Sequence, residues 1–254
     1  MAVLGILGVG HLAGFLVEGA QRGGTAYDFV LSPRNDAKAK ALAARFGARI
    51  AVSNQDVVDQ SDLVLVCLPT ATGRETLSGL RFREGQSVLS AIAGTSHSQF
   101  VPLVAPASAH VTMMPGAANA LGCGPSLLFP NASVWREFLT LLGPVVVLES
   151  EDQFDVAAAF GGLCGASFAW MNEAVTWFEG QGLPTEVAQH LVAATLRGNA
   201  EVALQPRATL AAITKGVATP GGITRQVVDL LNEKQALEAW ATALDSVLAR
   251  IRAD

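Results

Sequence analysis

Val3-Leu4-Gly5-Ile6-Leu7 runs directly into Gly8-Val9-Gly10-His11-Leu12-Ala13, and Phe15, Leu16 and Ala20 follow at helical spacing. The apolar run is too short to cross a membrane and the right length for a buried strand. Strand, glycine turn and helix follow one another, with small residues in the G-x-G-x-x-G/A positions. Gly8 permits the tight turn, Gly10 has no side chain to hold a pyrophosphate off the backbone, and Ala13 is small enough for the helix to pack on the strand. The helix N-terminus then offers free N–H groups and a positive dipole end to phosphate. An ordinary tight turn in an α/β domain can carry the same letters. The placement between a strand and a helix favours dinucleotide binding.

Composition narrows the classes. The chain has 254 residues, half of them hydrophobic and 15% charged, enough for a large core in one or two domains. A net charge of -5 argues against nucleic acid or an anionic membrane as the main partner. Low charge with a mean hydropathy of +0.37 points to apolar surface buried between subunits. Cys67, Cys123 and Cys164 are far apart and odd in number, which fits reduced thiols in the cytoplasm. The N-terminal apolar run follows no basic segment and is interrupted by glycine, so neither a signal peptide nor a transmembrane helix is expected. His11, His97, His110 and His190 show no ligand spacing, and no metal is expected.

After the first helix the pattern alternates. Phe29–Leu31 reads as a strand, Ala37–Phe46 as a helix, Arg49–Val52 as a strand, and Asn54 opens a short helix capped by Ser53 or Asn54. Leu63–Leu68 is a continuous apolar strand stopped by Pro69. Helix over 74–80, strand over 87–92, helix over 98–105 and strand over 110–114 complete a doubly wound parallel sheet. Ligands of such sheets bind outside the carboxyl ends of the strands. Two further β-like runs, 126–129 and 145–148, flank a helix over 134–142.

The second strand ends Leu31-Ser32-Pro33-Arg34-Asn35, with no Asp or Glu to hydrogen-bond a ribose diol. Asp28 falls at the strand's start, away from a ribose. Arg34 can pair with a 2′-phosphate, favouring NADP over NAD, or it can be a solvated loop cation.

From about residue 150 the character changes, with helices expected over 153–180, 184–204, 207–215, 224–232 and 234–252 and no strand. The expected organisation is an α/β Rossmann-type domain over 1–150 followed by an all-helical domain over 151–254. The Ala- and Leu-rich helices exceed what one small bundle buries, so this half is expected to form a homodimer or dimer-based oligomer. Within it, Ala218-Thr219-Pro220-Gly221-Gly222-Ile223-Thr224 leads into a helix with Thr224 in the N-cap place. Open glycine N–H groups, a hydroxyl and the helix dipole can hold a carboxylate. A simple capped helix–helix turn explains the same letters.

That stretch resembles the S-P-G-G-x-T signature of the pyrroline-5-carboxylate reductases, and the order of elements resembles that family over nearly the whole chain. Gly8-Val9-Gly10-His11-Leu12 is similar to its nucleotide loop, Val66-Cys67-Leu68-Pro69 to its A-V-K-P segment, and Ser90-Ala91-Ile92-Ala93-Gly94 to its S-x-A-A-G turn beside the nicotinamide. The resemblance implies NADPH contacts at Leu7, Gly8, Val9, Gly10, His11, Leu12, Ser32, Arg34, Asn54, Val66, Cys67, Leu68, Pro69, Ala91, Ile92 and Ala93. It also implies substrate contacts at Gly221, Gly222, Ile223 and Thr224, with Thr224 and Thr219 as catalytic residues. The reaction implied is hydride transfer from NAD(P)H to the C=N carbon of a small-molecule cyclic imine, giving proline. The substrate carboxylate is expected on the N–H groups of Gly222 to Thr224.

Two departures bear on the substrate. The family's M-P-N-T-P is Met114-Pro115-Gly116-Ala117-Ala118 here, without the polar Asn and Thr, and its Lys-Asp pair aligns with Thr214-Lys215. A diverged member reducing another imine or an oxo acid is therefore an alternative. A β-hydroxyacid dehydrogenase is disfavoured, because 153–180 holds no lysine. A non-catalytic NADP-binding protein is the third reading.

Overall fold

The computed structural model describes residues 2–34, 36–205 and 208–253. They cluster into two compact units, Met1–Gly161 with Leu248–Asp254, and Gly162–Val247.

The first unit is built on a six-stranded sheet. Its strands are β1 (Val3–Leu7), β2 (Asp28–Leu31), β3 (Arg49–Ile50), β4 (Leu63–Val66), β5 (Ser87–Ser90) and β6 (Ser108–Val111). The spatial order is β3-β2-β1-β4-β5-β6 and every pairing is parallel. Side chains alternate across a strand, and here both alternating sets are apolar. Leu4, Ile6, Phe29, Leu31 and Leu65 face a core with α1 (His11–Arg22), α2 (Asp36–Phe46) and α7 (Ser133–Thr140). Leu7, Val30, Val64, Val66 and Val88 face a second core with α3 (Asn54–Asp59), α4 (Thr70–Ser78), α5 (His97–Val104) and α8 (Glu151–Ala158). The order reverses between β1 and β4, which puts the crevice of this fold class at their carboxyl ends.

Several expected elements shift for identifiable reasons. The fourth helix starts at Thr70, directly after Pro69, whose ring presets the backbone for entry into the first turn. The sixth strand ends at Val111 because the chain changes partner there. Val111 and Phe129 exchange N–H···O bonds of 2.7 and 3.0 Å, and the Leu127 N–H donates to Met113 O at 2.9 Å. Beyond it lie α6 (Ala117–Ala120) and a parallel pair, β7 (Ser126–Leu128) with β8 (Val145–Val147). The helix expected over 153–180 is two. The Ala159 and Phe160 N–H groups turn to the i−3 carbonyls of Val156 and Ala157, and α9 (Gly161–Gly180) begins where a Cβ on Gly161 would sit 2.7 Å from Met113 Cε. By length and composition alone, 151–180 would pass for a membrane span.

The second unit contains most of α9, then α10 (Thr185–Ala203), α11 (Leu210–Val217), α12 (Ile223–Glu233) and most of α13 (Glu238–Ala253). Residue 207, where the third C-terminal helix was expected to start, lies outside the described residues; Thr209 caps α11 by accepting from the Ala212 N–H at 3.2 Å. The last helix begins at 238 rather than 234, because α12 closes with Gln235 in the left-handed region (φ 53). There the Ala236 N–H bonds Leu231 O and the Gln235 N–H bonds Asn232 O, a Schellman closure.

Candidate active site

The strand ends bring the expected nucleotide residues together along one edge of the first unit. Gly8 turns the chain out of β1 at φ +92, and a Cβ there would lie 2.6 Å from Cys67 O, so only glycine fits. Its N–H donates to Ser32 Oγ at 3.0 Å. Ser32 is 1% exposed, so its oxygen ties β1's loop to β2's end. Gly10 differs: a Cβ there meets nothing within 4 Å. Behind Gly10, α1 has no side-chain cap, whereas Ser53 caps α3 and Ser96 caps α5. The helix α4, across the switch point, is also uncapped. Open backbone before uncapped N–H groups is the shape and charge that a pyrophosphate fits.

Leu7 and Val66 are fully buried and support this edge from below, while Val9, Leu68 and Ile92 are nearly so. Ala91 is pinned by its N–H to Val66 O at 2.8 Å, and the Ala93 carbonyl accepts from Thr70 Oγ1 at 2.8 Å. His11, Leu12, Asn54 and Pro69 stand at helix starts, with Asn54 in the first turn of α3 and Ser53 as its cap. Arg34 is exposed in the turn after β2. Burial among apolar neighbours pushes the Cys67 thiol up to about 12, which removes it as an acid or nucleophile at neutral pH. No carboxylate stands among these residues.

The altered segment after β6 is held from within. Gly116 has φ +78, its N–H donates to the buried Asn119 Oδ1 at 2.9 Å, and Asn119 Nδ2 donates to Gly124 O at 2.7 Å. Pro115, Gly116, Ala117 and Ala118 present no polar side-chain atom.

Thr219 to Thr224 belongs to the second unit and is built differently from the expectation. Thr219-Pro220-Gly221-Gly222 is a tight turn with Pro second, Gly221 at φ +74, and the Gly222 N–H bonded to Thr219 O at 2.9 Å. Gly222, in extended conformation, is the N-cap of α12, so Thr224 lies inside the first turn and does not cap. The Gly222 N–H is spent in the turn. The N–H groups without an intrahelical partner are those of Ile223, Thr224 and Arg225. Thr224 is exposed, and its hydroxyl has no partner among the described residues.

The sequence reading passed over Lys38. It lines a cleft with Gly10 and His11, although α2's Ala/Lys/Leu/Arg composition suggested only an ordinary surface helix.

Comparison with known proteins matches this architecture piece by piece. A family model described as NADP oxidoreductase, coenzyme F420-dependent, matches residues 3–94, and one described as pyrroline-5-carboxylate reductase dimerisation matches residues 151–253. The pyrroline-5-carboxylate reductase of Pseudomonas aeruginosa is 25% identical over 89% of this chain and 86% of its own. That of Mycobacterium tuberculosis is 27% identical over 81% and 75%. Over most of its length the chain is similar to pyrroline-5-carboxylate reductases, and its C-terminal part matches their dimerisation model. The fold agrees: a Streptococcus pyogenes 1-pyrroline-5-carboxylate reductase superposes with a TM-score of 0.88 at 21% identity, covering 99% of this chain and 98% of that one. A Plasmodium falciparum member solved with NADP bound gives 0.85 at 15% identity, covering 99% and 97%. An Aspergillus terreus reductive aminase is more distant, with a TM-score of 0.58 at 22% identity over 80% and 74%. The glycine loop and the strand ends beside it lie within the part matched by the NADP oxidoreductase model, and the helical half within the part matched by the dimerisation model.

Proposed function

We propose that this protein reduces Δ1-pyrroline-5-carboxylate to proline, with NADPH preferred over NADH, as a homodimer or dimer-based oligomer in the cytoplasm. The observation that carries the reading is the Thr219–Gly222 turn, which leaves the Thr224 hydroxyl and the first amides of α12 uncommitted. The match to the reductase dimerisation model and the names of the relatives support the same substrate.

When bound, the reduced nicotinamide supplies the hydride that adds to the imine carbon. The Gly8–Leu12 loop and the start of α1 hold the pyrophosphate, and Asn54, Cys67 to Pro69 and Ala91 to Ala93 line the remainder. Leu68 and Ile92 keep water from that edge. The substrate carboxylate sits on the N–H groups of Ile223 and Thr224, with Gly221 and Gly222 giving the backbone its close approach. The Thr224 hydroxyl orients the imine nitrogen, and Thr219 holds the turn that places it. None of the described residues placed at the nicotinamide end, Cys67 to Pro69 and Ala91 to Ala93, carries a carboxylic acid, which suits a substrate that brings its own proton as an iminium. What these residues contribute is mainly positioning. Three unpaired cysteines fit the reducing compartment where NADPH is available.

The apolar Pro115–Ala118 segment favours one alternative, a diverged member that reduces a different imine or an oxo acid. Loss of NADPH absorbance with pyrroline-5-carboxylate, beside piperideine carboxylate and a small imine panel, separates the readings. Fast turnover of pyrroline-5-carboxylate supports the first. Turnover only of another substrate supports the second, and NADPH binding without turnover of any supports a non-catalytic protein.

A further inference from the structure

The turn that follows β5 is held by neighbouring elements. At its start the Ala91 N–H donates to Val66 O at 2.8 Å, and in its middle the Ala93 carbonyl accepts from Thr70 Oγ1 at 2.8 Å. It does not hold itself. Gly94 is left-handed at φ +70, and the Thr95 hydroxyl is buried with no partner among the described residues, a cost that surrounding contacts must offset. The chain then enters α5 through Ser96, whose hydroxyl accepts from the Gln99 N–H. Gln99 Oε1 accepts in turn from the Ser96 N–H at 3.2 Å and from Arg74 of α4 at 2.6 Å. The tie to α8 is a carboxylate. Glu151 accepts from the Ser98 N–H at 2.9 Å and from the Ser98 hydroxyl at 3.0 Å. Glu151 is also the first residue of α8, behind its cap Ser150, so one negative charge meets two helix N-termini. Partial burial works against its ionisation, but the Ser98 bonds hold its carboxyl below the usual carboxylate range. Asp152 beside it is committed elsewhere, to Arg252 at 2.6 Å.

We infer that Glu151 is a positioning residue for hydride transfer: from the start of α8 its carboxylate fixes the α5 end of the Ala91–Gly94 turn, and through it the surface against which the nicotinamide lies. The inference rests on the reading above that Ala91 to Ala93 line that end of the cofactor. Glu151 acts through Ser98 and touches neither cofactor nor substrate. A turn released from Glu151 keeps its fold, because Thr70, Arg74 and the Ser96–Gln99 capping box still hold it, but it samples a wider range of positions. Hydride transfer is sensitive to such displacement, since a misplacement of about 1 Å can cost about a hundredfold in rate. The pyrophosphate is bound at the start of α1, by other residues, so dinucleotide affinity is separable from this tie.

The test compares Glu151→Ala, Glu151→Gln and Asp152→Ala with the parent, all as the full-length protein. Three quantities are read: hydrogen exchange over residues 91–99, NADPH affinity and emission by titration, and single-turnover oxidation of saturating NADPH by pyrroline-5-carboxylate or whichever imine of the panel the parent reduces. Glu151→Ala is expected to speed exchange over 91–99 and to slow hydride transfer about tenfold, with NADPH affinity unchanged. Glu151→Gln keeps an acceptor oxygen in the same place and is expected to recover most of the rate. Asp152→Ala breaks the Arg252 pair at the same helix start and is expected to keep the parent rate. Parent exchange and parent rate in Glu151→Ala overturn the inference. So does an equal loss in Asp152→Ala, which would assign the effect to a loosened α8, and so does a loss confined to NADPH affinity. A parent that reduces no imine overturns the proposed reaction. Exchange and the emission of bound NADPH then decide the inference: both unchanged in Glu151→Ala overturn it, and both changed there but not in Asp152→Ala support it. A parent that binds no NADPH overturns the dinucleotide reading and this inference with it.

Discussion

The backbone N–H of Gly8 donates to the buried hydroxyl oxygen of Ser32 across 3.0 Å, joining the ends of the two strands that carry the glycine loop and the adenosine side. Ser32 thus fixes the shape of the loop. Ser32→Ala leaves the Gly8 N–H without its acceptor and is expected to cost about 1 kcal/mol of stability and to weaken both NADPH and NADH. Thermal unfolding and parallel titrations with the two cofactors check it. A change in the NADPH:NADH ratio, with affinity for NADH retained, would assign Ser32 to the 2′-phosphate instead.

Gly8 and Gly10 look alike in the sequence and have opposite surroundings. Gly8→Ala puts a Cβ against the Cys67 carbonyl in a backbone conformation of φ +92, and is expected to lower stability by about 1–3 kcal/mol from backbone strain alone. Gly10→Ala puts a Cβ into open space, so the melting temperature should hold while dinucleotide affinity falls at least tenfold. Measuring both quantities on both variants tests whether Gly10 faces the ligand. A Gly10→Ala protein with parent affinity would remove the pyrophosphate from that position.

The first unit was readable because its strands are short apolar runs ended by Gly or Pro and a helix such as α3 announces its cap, Ser53. The doubly wound parallel class followed from the alternation, and the strand order came from the structure. Boundaries failed where a tertiary contact decides them: Val111 leaves its strand by pairing with Phe129, and α8 stops because Gly161 packs on Met113. In the candidate site the motif letters located the glycine turn and the Thr219–Thr224 turn. They could not show that the Gly222 N–H closes its own turn, or that the cap of α12 falls two residues before Thr224. Lys38 escaped notice because its partner surface, the start of α1, is distant in sequence.

Thr224 lies in the first turn of α12 with its hydroxyl unbonded among the described residues, so Thr224→Ala removes no cap and no hydrogen bond among them. Stability is expected to stay within about 0.5 kcal/mol of the parent, as for an exposed substitution. Turnover of the imine should fall about tenfold or more, with NADPH affinity unchanged, and Thr224→Ser should recover part of it. Steady-state kinetics beside a cofactor titration decide the matter. Parent turnover in Thr224→Ala would place the substrate elsewhere.

The helices of the second unit bury little within one chain. Among the described residues none of α9, α11 and α12 is buried, and Phe168, Trp170 and Trp177 are 62%, 49% and 61% exposed. Apolar area removed from water contributes roughly 25 cal/mol per Å², and three large aromatic side chains left in solvent forgo several kcal/mol. A second copy covering them recovers that energy, and it makes stability depend on protein concentration. Sedimentation is expected to show a dimer or a multiple of it, and the melting temperature should fall on dilution. Trp177→Glu should shift the population toward monomer while the first unit still binds NADPH, because the glycine loop and the cleft beside it lie within the first unit. A protein that stays monomeric with a dilution-independent melting temperature would mean that these aromatic faces are covered by something other than a copy of this chain.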